Sequence, residues 1–194
     1  MSEDLSARER LRDAGLRQFA AHGYEGTNLR AVAAEAVVTV GLIRHHFGSK
    51  EGLRDAVELC VVGRFADAIH EADLQAEGEV APARERDAAV ARMLEENPVA
   101  VDYLRREVLH LNGSTSLVDR LAVLTAESVD TMREAGHAAR ERHRVEQVVG
   151  VVVRQLGRLF LQPLVDQVVD VFPEEERPAH APRLSVGVRS GSGG

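Results

Sequence analysis

Lysine is nearly missing from this chain: Lys50 is the only one, and every other basic side chain is an arginine. Cysteine is as scarce. A lone Cys60 excludes an intrachain disulfide and a thiolate zinc cluster, the usage of a protein kept in a reducing compartment. The short motifs of common chemistries are missing too: there is no GxSxG, no phosphate-cradling glycine loop, no HExxH and no CxxC. These absences argue against an enzyme, a cofactor and a metal. No window approaches the roughly 20 apolar residues that span a bilayer. The charged opening MSEDLSARERLRDAG also lacks the apolar run of a signal peptide. The expectation is a soluble, cytoplasmic protein with no membrane partner.

What is present is acidic. With 31 acidic and 24 basic residues the net charge is −7, so the molecule does not coat nucleic acid indiscriminately, and any such contact must be local. The imbalance is uneven. Up to Cys60 there are eight basic against nine acidic residues, and beyond it sixteen against twenty-two.

Punctuation residues divide the chain into helices. Leu11, Ala14, Gly15 and Phe19 recur at helical spacing and Gly23 stops that helix. Thr27 offers an N-cap hydroxyl to a short helix reaching Ala36, and Thr39 caps another that ends at Gly48-Ser49. A long helix follows from Lys50 to about Leu74, then a polar break from Gln75 to Arg84. Asn97-Pro98 marks one helix start, and Asn112-Gly113-Ser114 precedes a helix of about 25 residues that ends at Ala135-Gly136. No internal repeat is visible.

A cap, a short helix, a tight turn and a second short helix between Thr27 and Phe47 is the spacing of a helix-turn-helix, whose second helix enters the major groove. On a helical wheel Ile43 and Phe47 share the core side, Gly41, Leu42 and His45 point away from it, and Arg44 and His46 form the shoulders. A small outward face flanked by cations suits docking on DNA, with shoulders reaching phosphates. Adjacent positions on a helix diverge by about 100°, so His45 and His46 are poorly placed to chelate one ion. His137 and His143 have no recognised ligand spacing either.

Three runs, Gly23-Tyr24-Glu25-Gly26-Thr27, Leu29-Arg30-Ala31-Val32-Ala33 and Val38 to Glu51, together resemble the N-terminal signature of the TetR family of bacterial transcriptional regulators, over about Leu11 to Val57. The resemblance implies an all-α homodimer with an N-terminal three-helix DNA-binding domain and a larger helical body that binds a small molecule and releases a palindromic operator. Carried over by position, Thr27 and Thr39 would cap their helices and bond phosphates, Val40, Gly41, Leu42 and His45 would face base edges, and His46 and Lys50 would touch the backbone. Two positions depart from the family pattern. Arg44 stands where a tyrosine is usual, which moves that contact to a guanidinium on phosphate or guanine. Val37 stands where the turn normally has glycine, and a β-branched residue is ill suited to positive φ.

The expected divisions are residues 1–50 as DNA-binding domain, 51–173 as ligand-binding and dimerisation domain and 174–194 as tail. From Val145 to Val165 the chain is apolar on nearly every side at helical spacing, and a helix apolar all round is covered all round. The simplest second cover is another copy of the chain, with Val145, Val149, Gly150, Val152, Val153, Leu156, Gly157, Phe160 and Leu164 at the interface. Pro163 is expected to end or kink this helix. In the helix from Pro98, a stripe of Tyr103, Arg106 and His110 lies opposite the core stripe and, with Ser128 and Met132 of the next helix, makes a candidate pocket for an anionic or aromatic effector. An architectural DNA-binding protein without an effector, or a small helical enzyme, is the alternative reading.

Overall fold

The computed structural model describes residues 2–76, 79–109, 116–180, 182–184 and 186–188. Within these it is all-α: α1 (Ser2–Gly26), α2 (Leu29–Glu35), α3 (Gly41–Phe47), α4 (Lys50–Gln75), α5 (Ala83–Glu96), α6 (Pro98–Leu109), α7 (Ser116–Glu134) and α8 (Arg144–Asp170), followed by a 3₁₀ turn at Glu174–Glu176. An N-terminal three-helix unit is joined to a larger helical body by α4, which belongs to both.

The first unit closes around α1. Leu11, Phe19, Val32, Ile43, Leu53 and Val57 have no exposed surface, so all four N-terminal helices contribute to one core. The positive φ of 71° at Gly23 breaks α1 where a stop was expected. Polar ties then fix α2 on α1: Arg17 and Gln18 both bond Glu35, and Arg10 donates to the Ala36 carbonyl at 3.1 Å. The body packs α4 against α5, α6 beside α1, and α7 along α8.

Several boundaries differ from expectation, each for a local reason. Asn28, not Thr27, caps α2: its carboxamide oxygen accepts from Arg30 N at 2.8 Å. Thr27 is only 4% exposed and turns its hydroxyl inward, donating to the Gly23 carbonyl at 2.7 Å and sharing the Gln18 carbonyl at 3.0 Å. The cap position of α3 falls on Val40, without a side-chain bond, while Thr39 supplies its carbonyl to Leu42 N at 3.1 Å. Pro163 does not end α8, which continues to Asp170. The helix α7 has 19 residues, and the Asn112-Gly113-Ser114 signal before it lies outside the described residues.

The expectation that no segment could cross a membrane needs correction at α8. Its 27 residues contain an 18-residue window with mean hydropathy 1.4, long and apolar enough by length and composition alone. Valine and leucine dominate the average even though Arg154 and Arg158 interrupt the run. In the fold this helix is docked on the body by polar bonds: Arg154 and Gln155 hold Asp87 of α5, and Arg105 of α6 donates to the Leu159 carbonyl at 3.0 Å.

Candidate nucleic-acid interface

The helix α3 presents the face the wheel anticipates except at Leu42, which packs against the core instead of pointing away from it. Ile43 is fully buried, Phe47 is half-buried, and Gly41, Arg44 and His45 are exposed, with Leu42 half-buried beside them. Thr39 and Val40 are exposed at its start. His46 is half-buried, its ring set edgewise to His45 at 4.9 Å and to Phe47 at 6.1 Å between centroids. Arg8 of α1 lies over the Phe47 ring at 5.6 Å, which adds to this edge a guanidinium that sequence spacing did not reveal. Among the described residues no three His, Cys, Asp or Glu side chains converge as a metal site.

The turn before α3 takes the glycine-type path with a valine in it. Val37 has φ 56° and is 83% exposed. Val38 N reaches the Ala33 carbonyl at 3.0 Å and Val37 N the Ala34 carbonyl at 3.1 Å, the paired bonds of a Schellman ending. The hydrogen bonds hold the β-branched residue in a left-handed conformation that costs it about 1–2 kcal/mol. The end of α7 makes the same two bonds, from Gly136 N to the Arg133 carbonyl at 3.3 Å and from His137 N to the Met132 carbonyl at 2.8 Å, but with glycine at the left-handed position, φ 79°.

After α3, the chain turns through Gly48 into α4, where Ser49 Oγ accepts from Gly52 N at 3.1 Å. Gly52 is indispensable to that turn. A Cβ there would stand 1.9 Å from the Phe47 carbonyl oxygen, so α3 and α4 approach through backbone alone. Lys50, expected on phosphate, folds back instead: its amine lies 4.6 Å from the centre of the Tyr24 ring and 3.5 Å from the Glu25 carbonyl. The Tyr24 hydroxyl donates to Glu51. Partial burial and then that bond push the phenol up to about 12, while the same bond, with backbone and Ser49 contacts, holds the Glu51 carboxyl down to about 2.

The unit is tied to the body at two places. Arg106 of α6 donates to the Ala20 and Ala21 carbonyls of α1, each at 2.9 Å, and Tyr103 is buried against Phe19 at 6.4 Å between ring centres. Tyr103 is thus enclosed between α1 and α6, while Arg106 also borders an open depression there with Arg17, Asp102 and Arg105. The stripe of Tyr103 and Arg106 is opposite the body's core stripe because α6 is sandwiched, with α1 on that side. His110, the third member, lies outside the described residues. The second tie is a buried polar cluster: Arg54 bonds Glu58 at 2.9 Å and Glu107 at 2.7 Å, Ser116 donates to Glu58, and Arg120 comes within 3.5 Å of it. Burial raises the Tyr103 phenol, with Glu107 and Glu58 nearby acting in the same direction. Only the Arg54–Glu58 spacing of four was visible in the sequence as a potential pair.

Ser128 and Met132 do border a cavity in the body, with Val152 and Leu156 of α8 opposite. Those two therefore face their own chain, at least in part. Gly157 is also covered internally, since a Cβ there would meet Val186 of the tail at 2.8 Å; Gln162 pins the same tail through the Pro182 carbonyl at 2.9 Å and Leu184 N at 2.8 Å. Val145, Val149 and Leu164 are exposed, Val153 and Phe160 half-buried, and the space around Gly150 is open. Not one described residue of α8 is fully buried.

Comparison with known proteins meets this geometry at the same residues. The family described as "Bacterial regulatory proteins, tetR family" matches residues 11–57. Residues 11–57 are thus similar to the TetR-family N-terminal domain. Over 57 residues this TetR-type domain is 53% identical to the HTH-type transcriptional regulatory protein RaaS of Mycobacterium tuberculosis, an alignment covering 29% of this chain and 26% of that one. Over 49 residues it is 43% identical to the HTH-type transcriptional regulator BetI of Burkholderia thailandensis, 25% of each chain. The alignments thus span about a quarter of these relatives' length. Among solved structures, a tetR family transcription regulator from Shewanella sp. PV-4 superposes with TM-score 0.64 at 23% identity, over 84% of this chain and 87% of that one. HlyIIR, a hemolysin II transcriptional regulator, does so with TM-score 0.52 at 19% identity, over 86% and 92%. At such identities the TetR-type likeness extends to the whole fold, the helical body included, and to the fold alone.

Proposed function

We propose that this protein is a cytoplasmic, dimeric regulator of transcription that binds a palindromic operator through α3 and, as a repressor, leaves it when a small effector enters the body. The observation that carries the reading is the exposed face of α3, side-chain-free at Gly41, with the imidazole of His45 and the guanidinium of Arg44 open to solvent, held from behind by fully buried Ile43. Residues 1–50 act as the reader, 51–173 as the effector and dimerisation body, and 174–194 as the tail. Val40, Gly41, Leu42 and His45 meet base edges, while Thr39, Arg44, His46 and Lys50 serve the phosphates, Lys50 after leaving the Tyr24 ring. The assembly has no catalytic role.

Two readers related by a two-fold axis meet successive major grooves roughly 34–36 Å apart. The exposed Val145, Val149 and Leu164 support a second copy along the outer side of α8. The effector acts through the ties to α1 and α4. Shifting α6 pulls the Arg106 bonds on α1, and shifting α4 moves Arg54 and the turn at Ser49, so the spacing of the readers follows the state of the body. The effector changes the balance only by the difference between its affinities for the two arrangements.

A gel shift on the DNA upstream of the protein's own gene, with solution mass measured by light scattering, tests this. A dimer that shifts the DNA, more weakly as salt rises, and loses the shift in the Arg44→Ala/Lys50→Ala double variant is the expected result. A folded dimer that shifts no upstream DNA at low salt would overturn the regulator reading; a double variant with undiminished binding would overturn the residue roles.

A further inference from the structure

The cavity between α4, α5, α7 and α8 has a volume of about 70 Å³ and walls that are mainly aliphatic and aromatic, Phe65, Val90, Leu124 and Val152 among them. Three ionic side chains also reach it: Arg86, Asp87 and Arg154. Each already has its counter-ion. Arg86, 4% exposed, grips Asp73 through both carboxylate oxygens at 2.9 and 2.8 Å and uses its remaining arm on Ser128 Oγ at 2.8 Å. Arg154 bonds Asp87 at 2.9 Å, and Gln155 occupies the other Asp87 oxygen at 2.8 Å. Thr125 spends its hydroxyl hydrogen on the Leu121 carbonyl at 2.7 Å.

We infer that the effector is an uncharged, mainly apolar molecule carrying a single hydroxyl or carbonyl group. This rests on the reading of the body as an effector-binding domain and differs from the expectation of an anionic or aromatic ligand on Tyr103, Arg106 and His110 with Ser128 and Met132, of which this cavity keeps the last two. Two cations and two anions balance around the cavity. A carboxylate entering it would compete with Asp73 for Arg86 or with Asp87 for Arg154, in either case weakening the ion pair of a partly buried carboxylate. An ammonium would take Asp87 from Arg154 in the same way. Neutral groups open to a ligand include the Ser128 hydroxyl hydrogen, since its oxygen accepts from Arg86, and the Gln155 carbonyl oxygen, since its amide nitrogen serves Asp87. Size adds a second requirement. The volume is below that of the roughly 150 Å³ apolar cavity that admits benzene, so a longer ligand must push α8 away from α7. No described residue of α8 is fully buried, so little core packing opposes that movement.

The test titrates the full-length protein, without DNA, with 1-octanol, octanoate and octylammonium, following the melting temperature and binding heat. Octanol is expected to bind saturably and raise the melting temperature, and both charged homologues to bind at least about tenfold more weakly. Leu124→Trp, which fills the cavity, is expected to abolish the octanol response while retaining helical circular dichroism; Val152→Phe replaces it if that variant does not fold. Octanoate or octylammonium binding as tightly as octanol overturns the inference, as does failure of all three to bind or an octanol response that survives a folded cavity-filled variant. Because DNA is absent, failure here is separate from failure of the operator gel shift.

Discussion

The reader and the body are both helical, yet they close their surfaces differently. In the reader every helix sends at least one fully buried side chain to a core completed within one chain, and Glu35 and the Ala36 carbonyl hold α2 by polar bonds as well. In the body the longest helix, α8, lies along α7, is held by polar bonds to Asp87 of α5 and Arg105 of α6 and is covered in part by its own tail at Gly157, yet leaves Val145, Val149 and Leu164 exposed. A domain that must present an unchanging shape to DNA gains from a closed core. On the proposed function, a body that admits a ligand and a second copy would keep its softest packing where those arrive.

The largest way to break this contrast is at the tightest point of the reader. Gly52→Ala puts a methyl group into the Phe47 carbonyl and is expected to cost about 3 kcal/mol or more, read by chemical denaturation, and to abolish DNA binding with it. An equally stable variant would mean that α3 and α4 can separate freely. Next is Leu164→Arg on the open side of α8. The side chain is already 56% exposed, so the single chain should melt nearly unchanged while dimer dissociation rises about 100-fold, or about 2.7 kcal/mol. A dimer mass that persists at low concentration would place the interface elsewhere.

A matched pair then sharpens the contrast at the two Schellman endings. Val37→Gly relieves the left-handed valine and should add about 1 kcal/mol, or about 3 °C, while Gly136→Val introduces the same strain and should subtract a similar amount. Equal signs from differential scanning calorimetry would show that φ does not decide the cost. The smallest effect is one of pH. The raised Tyr24 phenol contributes stability that is present below its ordinary value near 10 and is lost as pH rises toward 12. The lowered Glu51 carboxyl contributes stability that is present above 4.5 and lost as pH falls toward 2. Tyr24→Phe should flatten the alkaline limb of the melting profile in part, because the raised Tyr103 phenol remains, and the acid limb in part, because Ser49 and the backbone still bond Glu51.

The sequence was most legible where one residue decides a local outcome. Glycine, proline and Asx positions located nearly every helix end, and the wheel of α3 separated its core side from its open side, because both depend on short-range geometry. The misread positions depend on what arrives from far along the chain. Thr27 and Asn28 are equally good caps on paper, but Thr27 is drawn inward by carbonyls of α1. Tyr103 looks like part of a solvent or pocket stripe until α1 is laid against it. Val152 and Leu156 could not be told from Val149 and Leu164, since valine and leucine suit either side of an all-apolar helix.

The position of Lys50 has a practical consequence. Apart from the α-amino group, this molecule has one amine, and it rests over Tyr24 at the mouth of the recognition helix. An amine-reactive dye or acetyl donor therefore modifies one side chain, at the edge where operator would sit, in the unaltered protein. Protection of that amine by DNA, read as the rate of acylation, turns the chain's scarcest residue into a built-in reporter of occupancy.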